Sequence, residues 1–103
     1  MKKIVKQKSI LTLSDIQAKA RPVFVNFDVK KAHLFGSYAR GEATSKSDID
    51  IIIEFKGQKS LFDLVGLRDS LQEKLGRKVD VGTPGSIHPA LKKNIEKDFV
   101  ALL

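Results

Sequence analysis

Gly36-Ser37 is followed, with ten residues between, by Asp48-Ile49-Asp50. Alternation along an extended chain puts Asp48 and Asp50 on one face and Ile49 and Ile51 on the other. Two carboxylates this close repel, and one stays protonated unless a cation lies between them. A hard divalent ion removes that penalty, and magnesium characteristically takes one or two carboxylates together with the phosphates of its substrate. The pair therefore points to magnesium–nucleotide chemistry. Gly36 lets backbone come close to a polyphosphate, and Ser37, Tyr38 and Ala39 offer N–H groups to it where a short helix begins. Asp80, between Val79 and Val81 in a short apolar strand, is a third carboxylate where an unpaired charge is expensive. Beside the strand carrying Asp48 and Asp50, it completes a triad able to hold two ions, one activating an attacking oxygen and one stabilising a departing pyrophosphate. Arg40 and Lys46, in the intervening loop, are candidates to neutralise phosphate charge, with Arg better suited to bidentate contact.

These residues need a scaffold, and the chain spells one out. Ser14-Asp15-Ile16-Gln17 reads as a capping box opening a first helix of about three turns, which Pro22 should kink or end early. Residues 29–35 form a short strand ended by Gly36. Residues 48–55 form a second, whose Ile-rich middle reads as a central strand covered on both faces. Ser60 caps a helix with Leu64, Leu67, Leu71 and Leu75 at spacings of three and four, and Gly76 terminates it. Residues 78–82 form a third strand, and Pro89 opens a last helix carrying Leu91, Ile95 and Phe99. The expected order is helix, strand, strand, helix, strand, helix.

With 103 residues, 42% hydrophobic and 30% charged, the chain reads as one small α/β domain with a single core. A domain of this size cannot enclose a large substrate on all sides, so a macromolecular substrate must be presented by a partner. The absence of cysteine excludes disulfide scaffolds, zinc ribbons and thiol catalysis, and makes a cytoplasmic location the default expectation. No apolar run approaches the roughly 20 residues of a membrane span, and no signal-like stretch follows the basic start, so neither a membrane nor a targeting segment is expected. The net charge of +7 is concentrated early: residues 1–31 carry eight Lys or Arg against two Asp, and the remainder is nearly balanced. Residues 1–13 read as a basic arm and 14–103 as the domain. An anionic partner or substrate fits that asymmetry, as does a solvated tail. Direct nucleic-acid binding through Lys2, Lys3, Lys6 and Lys8 is possible on charge but not favoured, because the phenylalanines are scattered and form no stacking platform. His33 and His88 lack a second histidine or cysteine at ligand spacing and read as structural, His88 as a cap before Pro89. Tyr38 reads as covering the turn.

The stretch 36–50, GSYARGEATSKSDID, resembles the signature of the DNA polymerase β-like nucleotidyltransferase superfamily, which pairs a glycine–serine turn with a downstream D-x-D. It is most similar to the minimal nucleotidyltransferases, or MNT proteins. Ala39-Arg40-Gly41, Ser47-Asp48-Ile49-Asp50, Ser60-Leu61-Phe62-Asp63-Leu64 and Gly76-Arg77-Lys78-Val79-Asp80 all fall where that group has them. The likeness covers roughly residues 30–100. It implies a short mixed sheet packed with helices, and transfer of AMP from magnesium–ATP to an acceptor hydroxyl with release of pyrophosphate. It also implies that Asp48, Asp50 and Asp80 are the catalytic ligands of two magnesium ions, and that Gly36, Ser37, Arg40 and Ser47 bind the nucleotide. MNT proteins are typically paired with a HEPN-domain ribonuclease toxin. The resemblance therefore implies an antitoxin that adds AMP to a toxin hydroxyl, a tyrosine in some members. The alternative is a binding module that neutralises its partner by covering it.

Overall fold

The computed structural model describes residues 10–103. A mixed four-stranded sheet is built from β1 (Val29–Phe35), β2 (Ile49–Phe55), β3 (Val79–Gly82) and β4 (Val100–Ala101), in the order β3-β2-β1-β4. β1 lies antiparallel to β2 and to β4, while β2 and β3 run parallel. Parallel neighbours need a crossover, which α3 (Leu61–Leu75) supplies. The other helices are α1 (Leu13–Asn26), the five-residue α2 (Gly36–Arg40) and α4 (Pro89–Glu96), with a 3-10 turn at Pro84–Ser86.

Register and alternation sort the sheet into two faces. Ala32, Leu34, Ile49, Ile51, Ile53 and Val79 are buried on one, against Ile16, Ala20, Val23 and Phe24 of α1 and Leu67, Leu71 and Leu75 of α3. Each such aliphatic side chain contributes about 1.5–3 kcal/mol on burial, so this layer fixes where β2 lies. The opposite face carries Phe35, Asp50 and Asp80 in one row and His33, Ile52 and Gly82 in the next. The 3-10 turn and α4 stand over part of that face, and Ile52 is buried beneath them. The middle of β2 is thus covered on both sides, as its isoleucines predict.

Several local expectations are corrected. The capping box of α1 is Thr12 with Asp15, the Thr12 Oγ1 accepting from Asp15 N–H at 3.0 Å; Ser14 lies within the helix. One helical turn separates Thr12 from Ile16, the first fully buried residue of the helix, and that spacing selects the earlier cap. Pro22 neither ends nor shortens α1, which continues to Asn26. Ala18 and Pro22 are both exposed, so the carbonyl that Pro22 leaves unpaired meets solvent while Val23 and Phe24 anchor the far side. β2 and β3 begin at Ile49 and Val79, one residue later than expected. Phe99 lies beyond α4 and stacks on His33 with ring centroids 4.9 Å apart. It leads into β4, which sequence periodicity did not indicate, and Leu102 N–H donates to the Ala32 carbonyl at 2.8 Å. The α3 boundaries, with Ser60 as N-cap and Gly76 as left-handed C-cap, agree with expectation. So does His88, whose Nδ1 accepts from Ala90 N–H at 3.0 Å. The lysine arm, Lys2 to Lys8, lies outside the described residues.

Candidate active site

Antiparallel pairing of β1 with β2 sets Phe35 opposite Asp50, and parallel pairing of β2 with β3 sets Asp50 opposite Asp80. Register therefore draws Asp50 and Asp80 together, while Asp48, immediately before β2, reaches Asp50 through its charge. Asp50 and Asp80 are direct neighbours across the parallel β2–β3 ladder. Asp50 is half-buried, and desolvation, then the charges of Asp80 and Asp48, push its carboxyl up to about 6, while Arg40 pulls the other way. The repulsion expected of an acid pair is present, and it falls on the middle acid of the three.

Asp80 departs from expectation in one respect: it is exposed, although Val79 beside it is fully buried. Strand alternation turns the aspartate to the open face and spares it the desolvation its valine neighbours suggest.

Gly36 follows β1 directly, at φ +76°, a left-handed conformation that favours glycine. Its position over the acids adds a second requirement. A Cβ built there would collide with the Asp50 carboxylate oxygen and lie 3.2 Å from Asp50 Cγ. The Asp50 carboxylate thus rests against the Gly36 backbone, and the glycine–serine motif and the D-x-D motif meet at this contact. α2 starts here without a side-chain cap, leaving its first-turn N–H groups open to a ligand. Tyr38 packs against the core with its hydroxyl buried and without a hydrogen-bond partner, so it covers the turn.

The loop candidates divide. Arg40 Nε donates to Glu42 at 2.9 Å and its Nη1 to Asp98 at 3.3 Å, which keeps the guanidinium within electrostatic reach of Asp50. The Ser47 hydroxyl accepts from Thr44 N–H at 2.8 Å and Ser47 N–H donates to the Thr44 carbonyl at 3.0 Å, so this side chain closes the turn before β2. Lys46 is exposed beside that turn. Arg77, which sequence reasoning did not single out as functional, is buried at 6% exposure and donates to the Ser45 carbonyl at 2.8 Å. Only its place ahead of the Val79-Asp80-Val81 strand hinted at a role.

A cleft of about 460 Å³ opens from Asp50 and Asp80 along Phe35, Ile52, Ile87, Leu91 and Ile95, with acids at one end and apolar walls beyond. Among the described residues, no three His, Cys, Asp or Glu side chains are gathered into a ready-made metal cage. The donor set is a carboxylate pair opposed across the β2–β3 ladder, with a third acid in electrostatic range. That fits a magnesium ion, which needs only one or two protein carboxylates when substrate phosphates and water complete its shell.

A mixed sheet that juxtaposes a glycine–serine turn and strand-borne carboxylates is the arrangement of a nucleotidyltransferase. The chain belongs to the nucleotidyltransferase domain family, which it matches over residues 18–102. A Methanocaldococcus jannaschii protein provisionally named protein adenylyltransferase MJ0435 is 47% identical over 93 residues, 90% of this chain and 100% of its own length. Protein adenylyltransferase MntA of Thermococcus cleftensis is 32% identical over 96 residues, covering 89% and 97%. The solved structure of a provisionally assigned minimal nucleotidyltransferase superposes with a TM-score of 0.76 at 27% identity, over 90% of this chain and 98% of that one. The same fold recurs, with a TM-score of 0.68 at 19% identity over 89% and 72%, in an MNT antitoxin in complex with a tri-AMPylated HEPN toxin from Shewanella oneidensis. The mixed sheet and helices are those of the minimal nucleotidyltransferase fold. No helix among the described residues is long and apolar enough to cross a membrane.

Proposed function

We propose that the chain is a protein adenylyltransferase that moves AMP from magnesium–ATP onto a hydroxyl of a partner protein, and that the partner is a HEPN-domain toxin which it restrains as antitoxin. The observation carrying this reading is the contact of Gly36 with the Asp50 carboxylate, because it sets a phosphate-approachable backbone against the acids. Relatives named for protein adenylyl transfer, and the same fold in an MNT antitoxin bound to an AMPylated toxin, support the choice of group and acceptor.

In this reading Asp48, Asp50 and Asp80 hold magnesium, which when bound polarises the triphosphate and offsets charge on the departing pyrophosphate. Gly36 and the α2 amides hold the terminal phosphates, and Ser37 lies beside them. Arg40 exchanges a carboxylate partner for phosphate oxygens, to which its planar fork is suited. Ser47 acts by shaping the loop ahead of Asp48. The acceptor oxygen attacks the α-phosphorus, the bond to the bridging oxygen of the β-phosphate breaks, and the acceptor proton passes to Asp80, which faces the open cleft. The apolar walls beyond the acids exclude water from the acceptor. Intact-mass measurement of a HEPN partner incubated with the chain, magnesium and ATP tests this. One or more AMP additions are expected, and none with Asp48→Asn. A stable complex that protects against the toxin with no added mass would favour neutralisation by covering.

A further inference from the structure

Arg77 is the buried charged residue among the described ones. A charge withdrawn from water is costly unless its hydrogen bonds are well placed, and an apolar side chain would fill the same space more cheaply. Its location accounts for the expense. Arg77 stands three residues before Asp80, and the Ser45 carbonyl it holds at 2.8 Å stands three residues before Asp48. The neighbouring Lys78 carbonyl accepts from Ile49 N–H at 3.0 Å, starting the β2–β3 ladder. Ser45, Ser47, Asp48 and Arg77 line one shallow pocket of about 180 Å³. The backbone thus joins the two acid-bearing strands at Ile49, and the guanidinium joins them again across the preceding loop.

We propose that Arg77 is a positioning residue: by clamping the Ser45 carbonyl it fixes the approach to β2 and so keeps Asp48 in reach of the Asp50–Asp80 pair when a divalent ion binds. This rests on the adenylyl-transfer reading for its catalytic consequence, though not for its structural one. The clamp touches no substrate. It should therefore govern metal affinity and turnover and leave ATP affinity, set on the Gly36 side, nearly unchanged.

The test uses the full chain with Arg77→Met, which removes donor and charge, and Arg77→Lys, which keeps the charge and donors on a single nitrogen but not the planar fork. Groups that orient metal ligands typically change metal affinity or activity by ~10–100-fold. Folded Arg77→Met is expected to lose turnover and to bind Mn2+, measured by paramagnetic resonance without nucleotide, ~10–100-fold more weakly, while KM for ATP moves less than about threefold. Arg77→Lys should recover part of both losses. Amide exchange should quicken at residues 44–48 and stay unchanged in α3, whereas a merely structural role would loosen both. Should Arg77→Met not fold, Arg77→Lys and the exposed Thr44→Val carry the test; the latter removes a hydroxyl that accepts from Lys46 N–H at 3.2 Å. A folded Arg77→Met with turnover and Mn2+ affinity within about twofold of wild type would overturn the proposal. If wild type itself transfers no nucleotide, the adenylyl-transfer reading fails, and Mn2+ affinity with local exchange still decides the clamp.

Discussion

Gly36→Ala separates two penalties that usually travel together. At φ +76° an alanine bears left-handed strain of about 1–2 kcal/mol. In a domain of this size, each kcal/mol shifts Tm by about 4–8 °C, so strain alone should lower Tm by about 4–16 °C. The new Cβ also meets the Asp50 carboxylate, which must swing away into a space already shared with Asp80. A displacement of about 1 Å in a reacting constellation costs roughly 100-fold in rate. Gly57→Ala supplies the control: its φ is +90°, and a Cβ there meets nothing within 4 Å. The two variants should therefore lose comparable stability by thermal melting, while only Gly36→Ala loses about 100-fold in AMP transfer at saturating ATP. Transfer by Gly36→Ala within a few-fold of Gly57→Ala would refute the claim that the glycine serves the carboxylate.

The Asp50 carboxyl, raised from 3.8 to about 6, makes stability depend on pH in metal-free solution. A raised folded value means the folded chain binds the proton more tightly, so the advantage is full below 3.8 and is lost as pH rises through about 6. With allowance for solvent reaching this half-buried group, the effect is about 1–2 kcal/mol. Asp50→Asn should therefore raise Tm at pH 8 in chelator, have no such advantage near pH 4, and abolish transfer. Arg40→Ala should leave Tm unchanged and raise KM for ATP about tenfold, read from initial rates, through loss of a charge-assisted phosphate contact. Thr12→Ala should cost about 1 kcal/mol of stability and Ser14→Ala close to none, as compared by denaturant midpoints, because only Thr12 caps α1.

The chemistry was more legible than the boundaries. The convergence of Gly36 on the Asp48-Ile49-Asp50 stretch could be read from spacing because strand alternation and a glycine turn are local properties. α3 was equally readable, since a capping serine, leucines at three- and four-residue spacing and a terminal glycine all agree. What escaped depends on contacts distant in sequence. β4 has two residues and exists because β1 offers it an edge. Thr12 displaces Ser14 as cap because the buried face of α1 fixes its phase against the sheet, and Pro22 survives because its missing donor faces solvent. Asp80 looked costly beside two valines until alternation turned it outward. Nor does any sequence pattern say that Asp50 is the acid whose pKa rises: register alone sets it between Phe35 and Asp80. Arg77 gave no periodic signal, and its weight comes from a hydrogen bond spanning 32 residues.

Label transfer from ATP carrying isotope on the α- or on the γ-phosphate, with magnesium and a HEPN partner, tests the central claim most directly. Label reaching the partner from the α position only, and lost with Asp48→Asn, is the predicted result. Label from the γ position, or undiminished α label with Asp48→Asn, would contradict it.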